Sequence, residues 1–371
     1  MLAVYQIFKI IFGTIVSIFI LYFLIQYSVN YSGSQKNIQK YNIIHTFLQD
    51  AENVYISGNP TNFSLSSRYD FSGCVPVLKE SGLPNVLCSF GSIGPMRIPL
   101  LFYFRGKERL FMERKSVRYG FWDLYFVEAM PETRILFTPI DSSKKGWDLM
   151  VTITDNLPDT TNFSPKITFG FCNGETVDEF FCGGYGCEKP DFLGYLKLPH
   201  GGIHFSSCKA DLSDRYRIVT ISSACSSDLS KKGICIEPPD SDGTGYAYLS
   251  GSEKPYIYKD PADLIALIIG GNKIDFYGKP YGEILYEYKN KVFGERLSIA
   301  SKVMSRRAVL ISNNLPSGHK CSGVYSQLLS YLEDISETAE SYSDLNKMKK
   351  LSRSVKSAFA LEQKLMDMGC E

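Results

Sequence analysis

The sequence predicts an α+β protein with an N-terminal transmembrane helix and amphipathic stem, a β-rich, disulfide-clipped head and a C-terminal helical bundle. Three observations support this fold class. Residues Ile10–Val29 form an apolar run of twenty residues without a charge, which spans ~30 Å as an α-helix, the thickness of a bilayer's hydrocarbon core. The middle of the chain contains short runs rich in Val, Ile, Phe, Tyr and Thr, which favour strands. The last third carries apolar residues at helical spacing.

The apolar run is interpreted as an uncleaved signal anchor. A cleaved signal peptide has a shorter apolar core and a small-x-small cleavage site, whereas the end of this run and the residue after it, Gln26–Asn30, contain no such site. A cleaved signal and a buried core helix are the two alternatives. The anchor predicts a cell-membrane protein with one span, a cytoplasmic N-terminus and an extracytoplasmic body.

Cysteine usage supports this orientation, because all ten cysteines lie after the apolar run. Disulfides persist in oxidising compartments, whereas ten scattered cysteines in a cytosolic chain need a metal or redox explanation. Local spacing suggests two disulfides, Cys74–Cys88 around a short proline-containing loop and Cys225–Cys235 across a loop. A third, Cys321–Cys370, is expected from the arrangement of the last two helices described below.

Composition limits the function classes. The chain has 371 residues and a net charge of +1, so charge gives no case for nucleic acid as a partner. We expect three parts: residues 1–58 as anchor and helical stem, 59–255 as a β-rich extracytoplasmic domain, and 256–371 as a helical domain. The stem is expected because apolar residues in 34–56 recur in steps of three and four and end before Gly58 and Pro60.

The expected strands of the head share β-branched and aromatic residues bounded by turn residues. Several of them alternate apolar and polar residues, as half-buried antiparallel strands do. The expected strands are Ile98–Phe104, Gly120–Val127, Arg134–Pro139, Trp147–Thr154, Lys166–Phe171, Arg217–Ser222 and Gly245–Leu249.

The helical third begins with a clear signal. Asp260 followed by Pro261 predicts an N-cap and a first helical residue, and Gly270-Gly271 predicts the end of that helix. A second helix is expected over Gly282–Ser312. Its apolar face is expected to contain Leu285, Tyr288, Val292, Ile299, Val303 and Leu310. The last two helices are expected to form an antiparallel hairpin, which brings Cys321 and Cys370 together.

One region contains the residue types that bind zinc. It contains Cys172, Cys182, Cys187, His200, His204 and Cys208. Zinc sites use paired Cys-x2–4-Cys knuckles, and only Cys182–Cys187 approaches that spacing. Two disulfides in a glycine-rich subdomain are therefore favoured over a metal, and no metal or cofactor is predicted.

Two further motifs receive structural interpretations. Asp240–Gly245 resembles half of a calcium loop, but position twelve is Gly251 where a glutamate is needed, so a polar turn is favoured. The basic run Lys347–Lys356 is interpreted as a solvated helix face. Because the sequence also lacks a Gly-x-Ser-x-Gly nucleophile elbow, no catalytic residue is assigned and the balance is against an enzyme.

In the first sixty residues, an apolar helix that continues into an amphipathic stem before a β-rich head resembles the layout of type IV pilin-like proteins. The sequence departs from that family because no Lys/Arg-Gly junction precedes the apolar run and no Glu lies near its start. The whole chain resembles signal-anchored envelope proteins of archaea. The leading hypothesis is a structural or interaction protein of the cell envelope, which contacts other envelope proteins through stem and head. The alternatives are a membrane-tethered hydrolase that uses the Cys172–Cys208 region and a pilin-like assembly subunit.

Overall fold

The fold is described from a computed structural model of the chain. It describes backbone and side chains of residues 17–26, 38–39, 42–43, 45–65, 99–102, 109–120, 122–138, 143–159, 167–172, 187–197, 212, 216–225, 233–252, 254–271, 280–341 and 343–370. Of residues 69–70, 75–77, 85–88, 91–95, 105–106, 139, 173 and 176–177, it describes the backbone alone. The chain divides into two compact units, residues 1–49 and 50–371.

The structure is a mixed α+β protein, as predicted. Its helices are α1 (17–26), α2 (45–57), α3 (Lys144–Asn156), α4 (Lys189–Leu196), α5 (Pro261–Gly270), α6 (Tyr281–Asn314), α7 (Ser322–Thr338) and α8 (Leu345–Asp367). Its strands are β1 (Thr61–Ser64), β2 (Tyr69–Asp70), β3 (Val75–Val77), β4 (Asn85–Cys88), β5 (Gly91–Pro95), β6 (Leu100–Phe102), β7 (Arg105–Gly106), β8 (Arg109–Tyr119), β9 (Trp122–Pro131), β10 (Thr133–Pro139), β11 (Ile167–Asn173), β12 (Thr176–Val177), β13 (Cys187–Glu188), β14 (Arg217–Ile221), β15 (Ile234–Ile236), β16 (Gly245–Leu249) and β17 (Tyr256–Tyr258).

The N-terminal unit contains α1, which covers the middle of the proposed anchor. All ten of its residues are exposed, and its large apolar side chains from Ile18 to Ile25 are 55–71% exposed. In the described part of the chain, no helix has the length and apolarity that a membrane crossing needs. Residues 10–16 and 27–29 of the apolar run lie outside the described residues. Helix α2 ends where the stem was predicted to end, because Gly58 follows it with φ of 77°.

The larger of two main sheets has parallel strands at its centre. Its order is β12-β11-β10-β14-β15-β16-β17, with β13 also paired to β11. Strands β11, β10, β14 and β15 run parallel, while β16 and β17 continue the sheet antiparallel. The expectation of antiparallel strands is therefore wrong for the sheet centre.

The second main sheet has the order β1-β8-β9-β6. Its long hairpin of β8 and β9 pairs residues from Leu110 with Pro131 to Tyr119 with Trp122. The sequence analysis predicted β9 in part and missed β8, in which charged residues interrupt the apolar run after Met112. The short strands β2 and β7 form one pair, and β3, β4 and β5 form a separate antiparallel sheet.

The prediction of a strand at Trp147–Thr154 is wrong, because these residues lie in helix α3. The β-branched residues from Val151 to Thr154 favoured a strand. However, Trp147, Met150 and Ile153 recur at helical spacing and are all buried. Ser143 caps the helix by accepting a hydrogen bond from the Gly146 amide. Helix α3 joins the parallel strands β10 and β11 as the crossover of a βαβ unit.

The core lies between the two sheets and their helices. One face of the parallel sheet carries Ile135, Phe137, Phe169, Phe171 and Val219, which pack with α3 and α4. The same cluster includes Phe126 and Met130 from the second sheet, all of the apolar residues of α5, and α6 as far as Phe293.

The signals at the start of the helical third are confirmed. Asp260 caps α5 by accepting a hydrogen bond from the Asp263 amide at 3.0 Å, Pro261 is its first residue, and Gly271 ends it with φ of 65°. Helix α6 follows over Tyr281–Asn314, close to the predicted span.

The predicted apolar face of α6 is confirmed in its first half and wrong in its second. Leu285, Tyr288 and Val292 are buried, but Ile299, Val303 and Leu310 are 62%, 61% and 65% exposed. The buried face instead continues through Leu297, Ser301 and Ala308. The helix packs against the α7–α8 hairpin through this second stripe, which also includes the partly buried Met304 and Ile311. Apolar spacing permits either stripe and does not tell which one is covered.

The predicted helical hairpin is confirmed. Helices α7 and α8 pack through Leu328, Leu332, Leu351 and Val355, together with the second half of α6. The disulfide Cys321–Cys370 joins the start of α7 to the residues just after α8, with 6.0 Å between the two Cα atoms.

Candidate functional site

The most distinctive cavity of the described residues lies at the carboxyl edge of the parallel sheet. Strands β10 and β14 are neighbours, but the chain leaves β10 for β11 on one side and leaves β14 for β15 on the other. In open sheets with parallel strands, ligands bind outside the carboxyl ends of two strands at such a reversal. We call the cavity at this position the crevice.

The crevice has a volume of about 380 Å³ and is lined by residues that follow three strands. Ser143 follows β10, Ser223 follows β14, and Glu237 follows β15 directly. Helix α8 closes one side through Leu345 and Lys349. Charged and hydroxyl side chains therefore meet at one end of the sheet although they lie far apart in the sequence.

The amino end of α3 contributes positive charge to the crevice. The first turn of this helix contains Lys144 and Lys145 and no acidic residue, and Lys145 lines the cavity. The amino end of a helix carries about half a positive charge, so lysines are unfavourable there and an anion is favourable. This first turn therefore has a charge distribution that a bound anion would stabilise.

A tight turn forms the opposite side of the crevice. The Asp240 carboxylate accepts hydrogen bonds from the amides of Asp242 at 2.9 Å and Thr244 at 3.0 Å, and Gly243 has φ of 84°. The polar turn predicted for Asp240–Gly245 is confirmed by these hydrogen bonds.

Helix α8 holds this turn in place. Lys349 Nζ lies 2.7 Å from Asp240 Oδ2, while Ser352 Oγ and Lys356 Nζ donate to the Asp242 carbonyl at 2.9 and 3.1 Å. Burial alone would raise the pKa of Asp240, but hydrogen bonds from Lys349 and Thr244 hold it below its ordinary value. The interpretation of the basic run Lys347–Lys356 as a solvated helix face is confirmed for four of its five basic residues, which are exposed. Lys349 is the exception, because it is partly covered in its ion pair with Asp240.

A second hollow of about 330 Å³ adjoins the crevice and shares Lys145, Pro239 and Asp240 with it. Its floor includes Lys259 and Asp260, which belong to a buried charge network between α5 and α6. Lys289 Nζ lies 2.7 Å from both carboxylate oxygens of Asp260 and 2.7 Å from Asp263 Oδ1.

Opposite charges compensate one another within this buried network. Burial would raise the pKa of Asp263, but the ammonium groups of Lys259 and Lys289 lower it to about 2. For Lys259, burial acts to lower the pKa, and the carboxylates of Asp263 and Asp260 outweigh it and raise the pKa. For Lys289, burial outweighs the attraction of Asp260 and Asp263 and lowers the pKa. Contact with opposite charges thus favours the charged forms of Lys259 and Asp263, and the network joins the two helices.

The structure shows two of the three predicted disulfides and describes two of the six residues of the zinc alternative. Cys225–Cys235 and Cys321–Cys370 are confirmed as disulfides, whereas the predicted Cys74–Cys88 bond involves Cys74, which lies outside the described residues. Cys172 and Cys187 are also disulfide-bonded, so neither offers the thiolate that zinc binds. Cys182, His200, His204 and Cys208 lie outside the described residues. Within those residues, no group of histidine, cysteine and carboxylate side chains could hold a metal.

The sequence analysis did not identify the crevice as a site. It singled out Asp240 for a different reason and missed Ser143, Lys145, Ser223 and Glu237. The sequence does contain a signal for this site. Ser143 is a typical N-cap residue, and Lys144 and Lys145 follow it in the first helical turn, where acidic residues are usual.

Comparisons with known proteins give no relative. No protein-family model, no curated protein and no solved structure matches this chain.

Proposed function

We propose that this chain is a single-pass membrane-anchored, extracytoplasmic interaction protein of the cell envelope that binds a small anionic ligand in the crevice. The observation that carries the ligand part is the basic first turn of α3 at the carboxyl edge of the sheet. Lys144 and Lys145 lie at the positive end of the helix dipole, which repels their charges. A bound carboxylate or phosphate group would offset this repulsion.

The extracytoplasmic location rests on the oxidised cysteines. Cys172, Cys187, Cys225, Cys235, Cys321 and Cys370 are all disulfide-bonded, and such bonds persist outside the reducing cytosol. The membrane anchor rests on the uncharged run Ile10–Val29 and on α1, whose apolar side chains point outward on every side. A helix that is apolar all round requires an apolar environment.

The hydrolase and the pilin-like subunit stay alternatives. The Cys172–Cys208 region, on which the hydrolase rests, lies largely outside the described residues. The pilin-like subunit rests on the stem, of which α2 forms the second half.

Fractionation of cells that express the full chain tests location. We expect the protein to remain in the membrane pellet after alkaline carbonate washing, and its cysteines to react with a maleimide–polyethylene glycol reagent only after reduction. Release by carbonate would contradict the anchor. Free thiols at most of the ten positions would contradict the oxidising compartment.

Melting curves of the full chain in detergent test the crevice, with inorganic phosphate and sodium succinate as the two anion probes. Ionic strength is held constant with sodium chloride, because surface charge effects vary with salt. We expect a saturable rise in melting temperature with at least one probe. Lys145→Glu should abolish this rise, because it places a carboxylate in the crevice.

Lys144→Glu is the matched control. Lys144 lies in the same first turn but does not line the crevice, so both variants gain the same favourable contact with the helix dipole. Only the crevice variant should lose the anion response. Equal loss in both variants, or no saturable response to either anion in the native protein, would overturn the ligand part of the proposal.

A further inference from the structure

The second half of α6 exposes an apolar stripe that no other described residue covers. Ile299, Val303 and Leu310 are 62%, 61% and 65% exposed. At 100° per residue they lie within about 40° of one another and extend ~16 Å along the helix. Three large apolar side chains in one line on a surface differ from scattered exposed residues and indicate an interaction site.

Basic side chains flank the stripe on both sides. Arg306 lies between Val303 and Leu310 along the helix and about 20° outside the stripe. Lys302 and Arg307 are displaced from the centre of the stripe by about 60° to 80° in opposite directions. All three are exposed. The sequence contains no Asp or Glu between Glu295 and Glu333, so no acidic residue of α6 offsets this charge after Glu295.

We propose that this face of α6 binds the surface of an anionic lipid bilayer. Helices that lie at a membrane interface bury a narrow apolar stripe between acyl chains and lipid headgroups, while Lys and Arg contact anionic headgroups. The stripe of Ile299, Val303 and Leu310, with basic residues on each flank, has this arrangement. The proposal rests on the membrane anchor of the proposed function, which holds the body near a bilayer and makes a weak second attachment effective.

A second copy of the chain fits this face poorly. In a symmetric dimer the stripe would meet itself, and this would bring Arg306 and its basic neighbours from two copies together. A standard protein interface also uses about 20–30 residues on each side, whereas this stripe offers three large apolar side chains. This basic face therefore complements an anionic partner. Its small apolar area suits insertion into the headgroup layer of a bilayer.

Photocrosslinking with the full chain tests the proposal. A benzophenone amino acid replaces Val303, and the protein is reconstituted in vesicles of phosphatidylcholine alone or with 30% phosphatidylglycerol. We expect a lipid adduct at position 303 in the anionic vesicles, reduced roughly tenfold in the zwitterionic ones. The same label at Ala360, which is exposed on α8, should give little adduct in either vesicle.

Charge variants test whether the adduct depends on the basic residues of α6 or on the net charge of the protein. Arg306→Glu with Arg307→Glu should reduce the adduct at position 303 to the level of the zwitterionic vesicles. Lys347→Glu with Lys364→Glu changes net charge equally on exposed positions of α8 and should leave the adduct unchanged. Equal reduction by both pairs, or an adduct that does not depend on phosphatidylglycerol, overturns the proposal.

A different partner and a failed anchor give distinct results. An adduct at position 303 to another protein in intact cells overturns the lipid surface in favour of a protein partner. Release of the chain by carbonate contradicts the anchor, whereas an anchored chain without a lipid adduct contradicts this inference alone.

Discussion

Lys289 Nζ lies 2.7 Å from Asp263 Oδ1, and both side chains are fully buried. The two residues join α5 to α6, and Asp260 and Lys259 complete the charge balance of the network. Buried ion pairs bring little net stability compared with an apolar pair, but the loss of one partner leaves a charge without compensation. The network therefore fixes how the two helices pack.

Lys289→Met tests this role. The variant keeps the apolar stem of the lysine and leaves two buried carboxylates with only Lys259, so we expect the free energy of unfolding to fall by about 3–5 kcal/mol. Denaturant titration followed by circular dichroism measures the change. Lys350→Met is the control, because Lys350 forms an exposed ion pair with Asp334 at 2.7 Å. A loss no larger than that of the control would show that the network is not held by its charges.

The contact between Gly270 and Gly282 predicts a second effect on the same helices. A Cβ atom at Gly270 would lie 2.4 Å from the Gly282 nitrogen and 2.5 Å from its Cα, so the ends of α5 and α6 would have to separate. Gly270→Ala should lower the free energy of unfolding by about 1–3 kcal/mol, the usual cost of overpacking.

Gly194→Ala is the matched change. A Cβ atom at Gly194 meets no atom within 4 Å, and alanine is favoured over glycine inside a helix by up to ~1 kcal/mol. We expect this variant to be as stable as the native protein or more stable. Thermal melting of both variants tests whether only Gly270→Ala destabilises the protein. Similar destabilisation by both variants would refute the close approach of α5 and α6.

The two described disulfides should contribute unequally to stability. Cys321 and Cys370 are 49 positions apart, whereas Cys225 and Cys235 are 10 apart. In the chain-entropy model these loops correspond to about 4 and about 3 kcal/mol. Replacing each pair by alanines should therefore destabilise the protein more for Cys321–Cys370. Chemical denaturation of the two double variants checks the order, and the reverse order would mean that native-state contacts outweigh loop entropy.

Local signals in the sequence were sufficient for some elements. Asp260, Pro261 and Gly271 each act within one helical turn, so they predicted both ends of α5. The disulfide Cys321–Cys370 followed from an antiparallel pair of helices with one cysteine at the start of the first and one at the end of the second. These features depend on neighbours in the sequence or on one simple antiparallel pairing.

The crevice depends on contacts that local patterns do not contain. Asp240 and Lys349 are over a hundred positions apart, and their ion pair exists only because α8 packs beside the end of β15. The misassignment of Trp147–Thr154 as a strand removed the crossover between β10 and β11, so neither the parallel pairing nor the reversal at β14 could be inferred. Exposure of Ile299 and Val303 was missed because apolar spacing alone does not tell which stripe of α6 is covered.

Glu128 should give the protein an unusual dependence on pH. It lies on β9 with its side chain on the same face as the core residues Phe126 and Met130, and it is fully buried. Neither carboxylate oxygen has a hydrogen-bond partner among the described residues. Burial raises the pKa of Glu128 to about 8, with Glu113 acting in the same direction and Lys115 in the opposite one.

A carboxyl group whose folded pKa exceeds its unfolded value of 4.5 contributes its full stability below pH 4.5. The unfolded state releases its proton first, so this contribution falls as pH rises and is lost by about pH 8. The slope is at most about 1.4 kcal/mol per pH unit. Glu128→Gln removes the titrating group and should therefore be less sensitive to pH than the native protein between pH 5 and 8.

Denaturant titrations at pH 5, 6.5 and 8 measure this difference. Relative to the native protein, Glu128→Gln should gain stability as the pH rises, because only the native protein must keep a proton on a buried carboxyl group. Glu132→Gln is the control, since Glu132 directly follows β9 and is exposed. If stability changes with pH in the same way in all three proteins, the prediction is wrong. Water or a shifted side chain then solvates the Glu128 carboxyl group, and burial does not raise its pKa.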